Sequence, residues 1–259
     1  QRDFPIWLSC LAEHADRLIC VSASVAEDVK SWIAENSHWV KPNPLLTVSN
    51  FHLGADLDAS VLSTGMPDNA QALLATMAAA PSFIMVGTME PRKGHAQTLA
   101  AFEELWREGK DYNLFIVGKQ GWNVDSLCEK LRHHPQLNKK LFWLQNISDE
   151  FLAELYARSR ALIFASQGEG FGLPLIEAAQ KKLPVIIRDI PVFKEIAQEH
   201  AWYFSGEAPA DIAKAVEDWL ALYEQNAHPR SENINWLTWK QSAEFLLKNL
   251  PIIAPAAKQ

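Results

Sequence analysis

The chain has little cysteine, no long apolar run and no excess of positive charge, and each lack removes a class of protein. Three cysteines, Cys10, Cys20 and Cys128, stand in 259 residues. Their spacing shows neither a disulfide framework nor a Cys-x-x-Cys metal site. Cys10 and Cys20 fall in a patterned helix–strand stretch and Cys128 in a helix, which predicts buried free thiols. No apolar run approaches the ~18 residues that a membrane-spanning helix needs, and no signal peptide heads the sequence. Lysine and arginine number 24 against 31 aspartates and glutamates, a net charge of −7. That balance argues against nucleic acid as a main partner. No internal repeat or low-complexity tract is evident. Glycine is also sparse, at 11 residues, yet three of them, Gly168, Gly170 and Gly172, fall within five positions.

What is present is a large apolar fraction, 48%, in a regular alternation. Continuous apolar runs predict strands at 46–51, 82–87, 113–118, 140–145, 161–166, 184–188 and 201–204. Amphipathic stretches predict helices at about 94–108, 123–134, 149–158, 173–181, 191–199 and 209–225. Apolar strands alternating with such helices imply an α/β fold, a doubly wound parallel sheet covered on both faces. Ligands of such sheets bind beyond the carboxyl ends of the strands. The segments 87–93, 118–121, 146–148 and 166–172 all follow strands and should share one rim. Residues 55–81 read as a loosely packed connection with an alanine-rich helical stretch.

The string EGFGLPLIE (169–177) is the most informative on that rim. Its glycines let the backbone bend and a ligand come close, and Pro174 suits a first helical position. A helix N-terminus behind the turn offers free N–H groups to a phosphate. Glu169 lies before the turn and Glu177 in the first turns of the helix, so a phosphate and a polyhydroxylated group can be held side by side. The spacing is not that of a dinucleotide binder. A second segment, VGTMEPRKG, puts Arg92 and Lys93 at another strand end, where two cations can neutralise a diphosphate.

Together these strings resemble the retaining, nucleotide-sugar-dependent glycosyltransferases of group 1. EGFGLPLIE fits their E-x7-E signature, and VGTMEPRKG is similar to their diphosphate-binding loop. ADRLICVSASVAEDV, FHLGAD, LFIVGKQGW, ISDEFLAELYARSRALIFAS and WLTWKQSAEFL agree with it. The EPRKG and VGKQGW variants look most like bacterial O-antigen and capsule mannosyltransferases. The resemblance implies the GT-B architecture of two Rossmann-like domains around a cleft, of which this chain is the C-terminal, donor-binding half. On that reading residues 1–45 are a remnant of the N-terminal acceptor domain. Residues 46–230 form the nucleotide-sugar domain, and 231–259 a helix that crosses back.

The same resemblance implies the roles of the site residues. Arg92, Lys93 and the N–H groups around Gly170, Phe171 and Gly172 face the diphosphate without a metal. Glu169 lies near the donor sugar and Glu177 bonds the ribose hydroxyls. Leu173, Gly87, Thr88 and Gly118 complete the donor rim, with the base near Gly118, Asn146 and Ile147. Thr88 departs from the family, which commonly has arginine there, and Arg92 takes over that role. No separate cofactor is implied. The donor is a nucleoside-diphosphate sugar, GDP-mannose favoured over a UDP-sugar, although no side chain distinguishes guanine from uracil. The acceptor, a glycan or lipid-linked glycan, is engaged through the absent N-terminal domain, and an isolated chain of this kind is expected to be inactive. The parent protein is expected in the cytoplasm, at the inner face of the cell membrane by peripheral association. A non-catalytic nucleotide-sugar-binding module and an epimerase on the same architecture remain as alternatives.

Other residues carry blander readings. Asp56-Leu57-Asp58 mimics an Asp-x-Asp metal motif but follows HLGA rather than a buried strand, and reads as a solvated loop. His133 and His134 end a helix. Trp106, Trp143, Trp219 and Trp236 sit in apolar patterns and read as core, whereas Trp122 reads as a rim residue.

Overall fold

The structure, a computed structural model, describes residues 3–56 and 62–250. The chain divides into two compact units, Gln1–Asp56 with Trp236–Gln259, and Leu57–Asn235.

The larger unit is built on a six-stranded parallel sheet. Its strands are β3 (Ser82–Val86), β4 (Asn113–Val117), β5 (Leu141–Leu144), β6 (Ala161–Phe164), β7 (Val185–Arg188) and β8 (Trp202–Phe204). The four inner strands, β3, β4, β6 and β7, are buried on both faces, which is why they read as unbroken apolar runs. The helices are α3 (Ala70–Ala79), α4 (His95–Arg107), α5 (Asp125–Arg132), α6 (Asp149–Arg158), α7 (Leu173–Gln180), α8 (Pro191–Ala197) and α9 (Pro209–Glu224). Phe83, Phe102, Leu114, Ile163 and Trp219 lie in one core cluster.

The strand order is β5-β4-β3-β6-β7-β8. The chain winds outward from β3 to β5, then returns to lay β6 on the other side of β3. The crevice between β3 and β6 is therefore the topological switch point, where the loops after the two strands diverge and leave room for a ligand.

Several local features follow from the sequence. Ser148 caps α6 by accepting from the Phe151 N–H at 3.0 Å, and Pro174 opens α7. The segment after residue 61 is pinned rather than loosely packed. The Ser63 N–H and hydroxyl donate to Asp149 at 2.9 and 2.7 Å, the Gly65 N–H donates to Glu150 at 2.7 Å, and the Glu150 N–H donates back to the Ser63 carbonyl at 3.2 Å. The amides of Asp149 and Glu150, at the start of α6, are thus satisfied by Ser63, more than eighty positions upstream.

The smaller unit holds α1 (Phe4–His14), β1 (Arg17–Cys20), α2 (Ala23–Glu35), β2 (Thr47–Asn50) and α10 (Trp239–Asn249), with β1 and β2 parallel. Thr238 and Gln241 form a capping box at the start of α10. The helix docks on residues 51–56: Ser242 Oγ donates to the His52 carbonyl at 2.6 Å, and Asp56 accepts from the Trp239 N–H. A Cβ on Gly54 would lie 2.3 Å from the Trp239 Cα, so glycine is required for that approach. Asp56 is a helix-terminal acceptor, while Leu57 and Asp58 lie outside the described residues. Cys10 is exposed, contrary to the expectation of a buried thiol, whereas Cys20 and Cys128 are buried. Trp236 is also exposed rather than core, and Trp219 is fully buried.

Candidate functional site

The two loops at the switch point meet. After β3, Gly87 takes a left-handed φ of +137°, Thr88 follows, and Pro91–Lys93 form one 3₁₀ turn. After β6, residues 165–172 run to the start of α7. Arg92 Nη1 donates to the Gly168 carbonyl at 2.7 Å and to Glu169 at 3.1 Å. Lys93 Nζ also bonds Glu169 and lies 5.6 Å from the centre of the Phe164 ring. A backbone bond from the Gln167 N–H to the Arg92 carbonyl, at 2.7 Å, locks the loops together.

Gly94 makes this proximity possible. It has φ +74°, and a Cβ there would lie 2.4 Å from the Ala165 carbonyl oxygen. The first turn of α4 consequently rests on the end of β6. His95, the first residue of α4, is buried, and burial with the neighbouring Lys93 charge pushes its pKa down to about 4. It is neutral at pH 7, and its ring nitrogens make no hydrogen bond among the described residues.

Arg92, Lys93 and Glu169 thus form one cluster, with side chains of 43%, 16% and 9% exposure. Glu90 adds a second carboxylate at 3.0 Å from Arg92. Two cations share a largely buried carboxylate in front of a helix N-terminus. That arrangement is well suited to exchange a carboxylate partner for an anionic ligand.

Beyond the cluster, Gly172 has φ +105° and leads into α7. Gly170 is exposed, Phe171 is buried and Leu173 is half-buried. Glu177, one turn and a half into the helix, faces a cavity of about 120 Å³ lined also by Leu62, Asp149, Leu152, Ala153, Tyr156 and Lys181. The Tyr156 hydroxyl donates to Glu177 at 3.3 Å. Burial pushes the Glu177 carboxyl above its ordinary pKa, while the Tyr156 bond opposes the rise. Sequence reasoning missed Tyr156, because an aromatic at helical spacing reads as core. The signal was its position in the AELYARS run beside the strand that leads to Glu169.

The remaining rim residues lie on neighbouring strand ends. A Cβ on Gly118 would lie 1.9 Å from the Gly87 carbonyl oxygen, so the ends of β3 and β4 approach closely only with glycine there. Asn146 follows β5 with a left-handed φ of +53°, and Ile147 precedes the cap of α6. Trp122 is exposed.

Comparison with known families matches residues 77–236 to the glycosyl transferases of group 1. The chain belongs to that family. It is 97% identical over 259 residues to the serotype-specific mannosyltransferase WbdA of Escherichia coli, spanning all of this chain and 32% of that protein. It thus spans about a third of the length of the curated relatives it matches most fully. The O-antigen chain mannosyltransferase RfbU of Salmonella typhimurium is 32% identical over 137 residues, 52% of this chain and 37% of that one. Among solved structures, Anabaena Alr3699/HepE in complex with UDP and glucose superposes with a TM-score of 0.69 at 15% identity, covering 95% of this chain and 66% of that one. The fold of the larger unit is accordingly the Rossmann-like domain of GT-B glycosyltransferases. No described helix is long and apolar enough to cross a membrane.

Proposed function

We propose that the chain is the donor-binding half of a retaining mannosyltransferase that takes GDP-mannose and extends a polysaccharide or lipid-linked glycan. The observation that carries this reading is the convergence of Arg92, Lys93 and Glu169 at the switch point, in front of α7. The mannosyltransferase relatives support the choice of sugar, and with it GDP as the carrier.

Breaking the sugar–phosphate bond leaves negative charge on the diphosphate. Arg92, Lys93 and the N–H groups near Gly170, Phe171 and Gly172 are the donors that stabilise this charge as it develops. Glu169, freed from its cations by the diphosphate, accepts from hydroxyls of the sugar. Glu177 accepts from the ribose, since an ionised carboxylate accepts and hydroxyls donate. The base lies by Gly118, Asn146 and Ile147. The acceptor is held by the rest of the parent protein, which engages the inner face of the cell membrane peripherally.

A thermal-shift panel of nucleoside diphosphates and their sugars tests the reading. GDP and GDP-mannose should raise the melting temperature more than UDP and UDP-glucose. The same sample should transfer little or no mannose to a mannosylated acceptor. A larger shift with UDP overturns the donor assignment. No shift with any nucleotide overturns the donor-binding role, and robust transfer by this chain alone overturns its assignment as a half-site.

A further inference from the structure

Arg188 ends β7 and is buried, 6% exposed, at a position where the sequence pattern shows only a strand end. Burying a guanidinium is costly unless it is hydrogen-bonded, and each of its three nitrogens donates one bond. Nε donates to the Ala165 carbonyl at 3.0 Å, Nη1 donates to the Gly206 carbonyl, and Nη2 donates to the Gln97 side-chain oxygen. The guanidinium carbon lies 5.0 Å from the centre of the Phe204 ring. Every one of these acceptors is neutral. Burial lowers its pKa, and the carboxylates of Glu207 and Asp211 oppose that shift.

The acceptors define what this cation does. Ala165 immediately precedes the loop that carries Glu169, and its carbonyl is the atom against which Gly94 is packed. Gln97 sits in the first turn of α4, four residues along the chain from Lys93, and its own amide donates to the Ala208 carbonyl at 2.8 Å. One rigid fork therefore ties the end of β6, the start of α4 and the loop after β8. Those are the strand end and the helix start from which the Arg92–Lys93–Glu169 cluster hangs. Lysine also has three donors, but they radiate from one nitrogen and do not reach three acceptors spread around a planar fork.

We propose that Arg188 is a positioning residue for diphosphate recognition, which fixes the spacing between the Arg92–Lys93 loop and the Glu169 loop without touching the ligand. The inference rests on the donor reading above and adds a determinant that lies beneath the ligand-facing groups. A side chain that merely supports the fold lowers stability and weakens all ligands together. A positioning residue weakens the part of the ligand that its loops hold.

Calorimetric titration of GDP and guanosine against the whole chain tests it, with a melting curve for each variant. Arg188→Met should weaken GDP roughly tenfold more than guanosine. Arg188→Lys should recover part of that difference, and serves alone if Arg188→Met does not fold. Asn113→Ala removes a buried amide at the opposite ends of the strands, bonded to Ser82 Oγ at 3.1 Å. It should lower the melting temperature and leave the GDP-to-guanosine ratio unchanged. Equal losses of the two ligands in both Arg188 variants, or no loss in either, overturn the proposal. Lys93→Ala separates the two levels. If it too spares the ratio, the donor reading itself fails; if it changes the ratio while Arg188 does not, the positioning role alone fails.

Discussion

Glu177 is held between opposing influences, and their balance gives a pH dependence. Burial raises its pKa above the ordinary 4.5, the Tyr156 hydroxyl, bonded to the carboxylate, lowers it, and the Asp149 carboxylate in the same cavity raises it further. A carboxyl whose folded pKa is raised favours folding in its neutral form. That contribution is complete below the unfolded value and is lost as pH rises through the folded value. Ribose binding runs the other way, because only the carboxylate accepts from both hydroxyls. Nucleoside affinity should therefore increase as pH rises through the raised pKa, with stability falling over the same window. Glu177→Gln should flatten both profiles. Tyr156→Phe removes only the oxygen that stabilises the carboxylate, so the midpoint of the affinity profile should move to higher pH. Guanosine affinity measured across pH 4 to pH 8, in ~0.5-unit steps, checks this. A midpoint that stays in place or moves down in Tyr156→Phe would remove the tyrosine from control of Glu177.

Elements rather than single residues explain how two distant strings become one site. VGTMEPRKG and EGFGLPLIE are separated by about 70 residues, and it is the β3–β6 pairing that brings them together. The inner strands of the larger sheet were legible because burial on both faces makes each an unbroken apolar run. The observed spans differ from the predicted ones by only a residue or two at the ends. What periodicity could not reveal were the contacts between elements. The bond of Ser63 and Gly65 to α6 is made by residues that resemble any surface loop. Arg188 looks like an ordinary strand terminus until its three acceptors are seen. Gly94 lies at the centre of the element contact, where α4 meets the end of β6. Gly94→Ala combines a left-handed backbone with a Cβ 2.4 Å from a carbonyl oxygen. It should cost about 2–4 kcal/mol, the sum of backbone strain and overpacking, and should weaken diphosphate more than nucleoside. A urea-unfolding curve gives the first quantity. A loss below ~1 kcal/mol would mean that the two loops are not held by this contact.

At the scale of the molecule, the larger unit carries every residue of the proposed donor site, from Gly87 to Glu177. On the proposed reading, nucleotide recognition belongs to the unit Leu57–Asn235. The central claim is that one end of this site reads phosphate and the other reads ribose. Titration of GDP and guanosine into Lys93→Ala and Glu177→Ala tests it most directly. Lys93→Ala should weaken GDP by roughly 1.5–3 kcal/mol, the range for hydrogen bonds to charged groups, and should leave guanosine nearly unchanged. Glu177→Ala should weaken both ligands by a similar amount, since both contain the ribose. Equal losses of GDP and guanosine in Lys93→Ala, or unchanged affinities in both variants, would contradict the account.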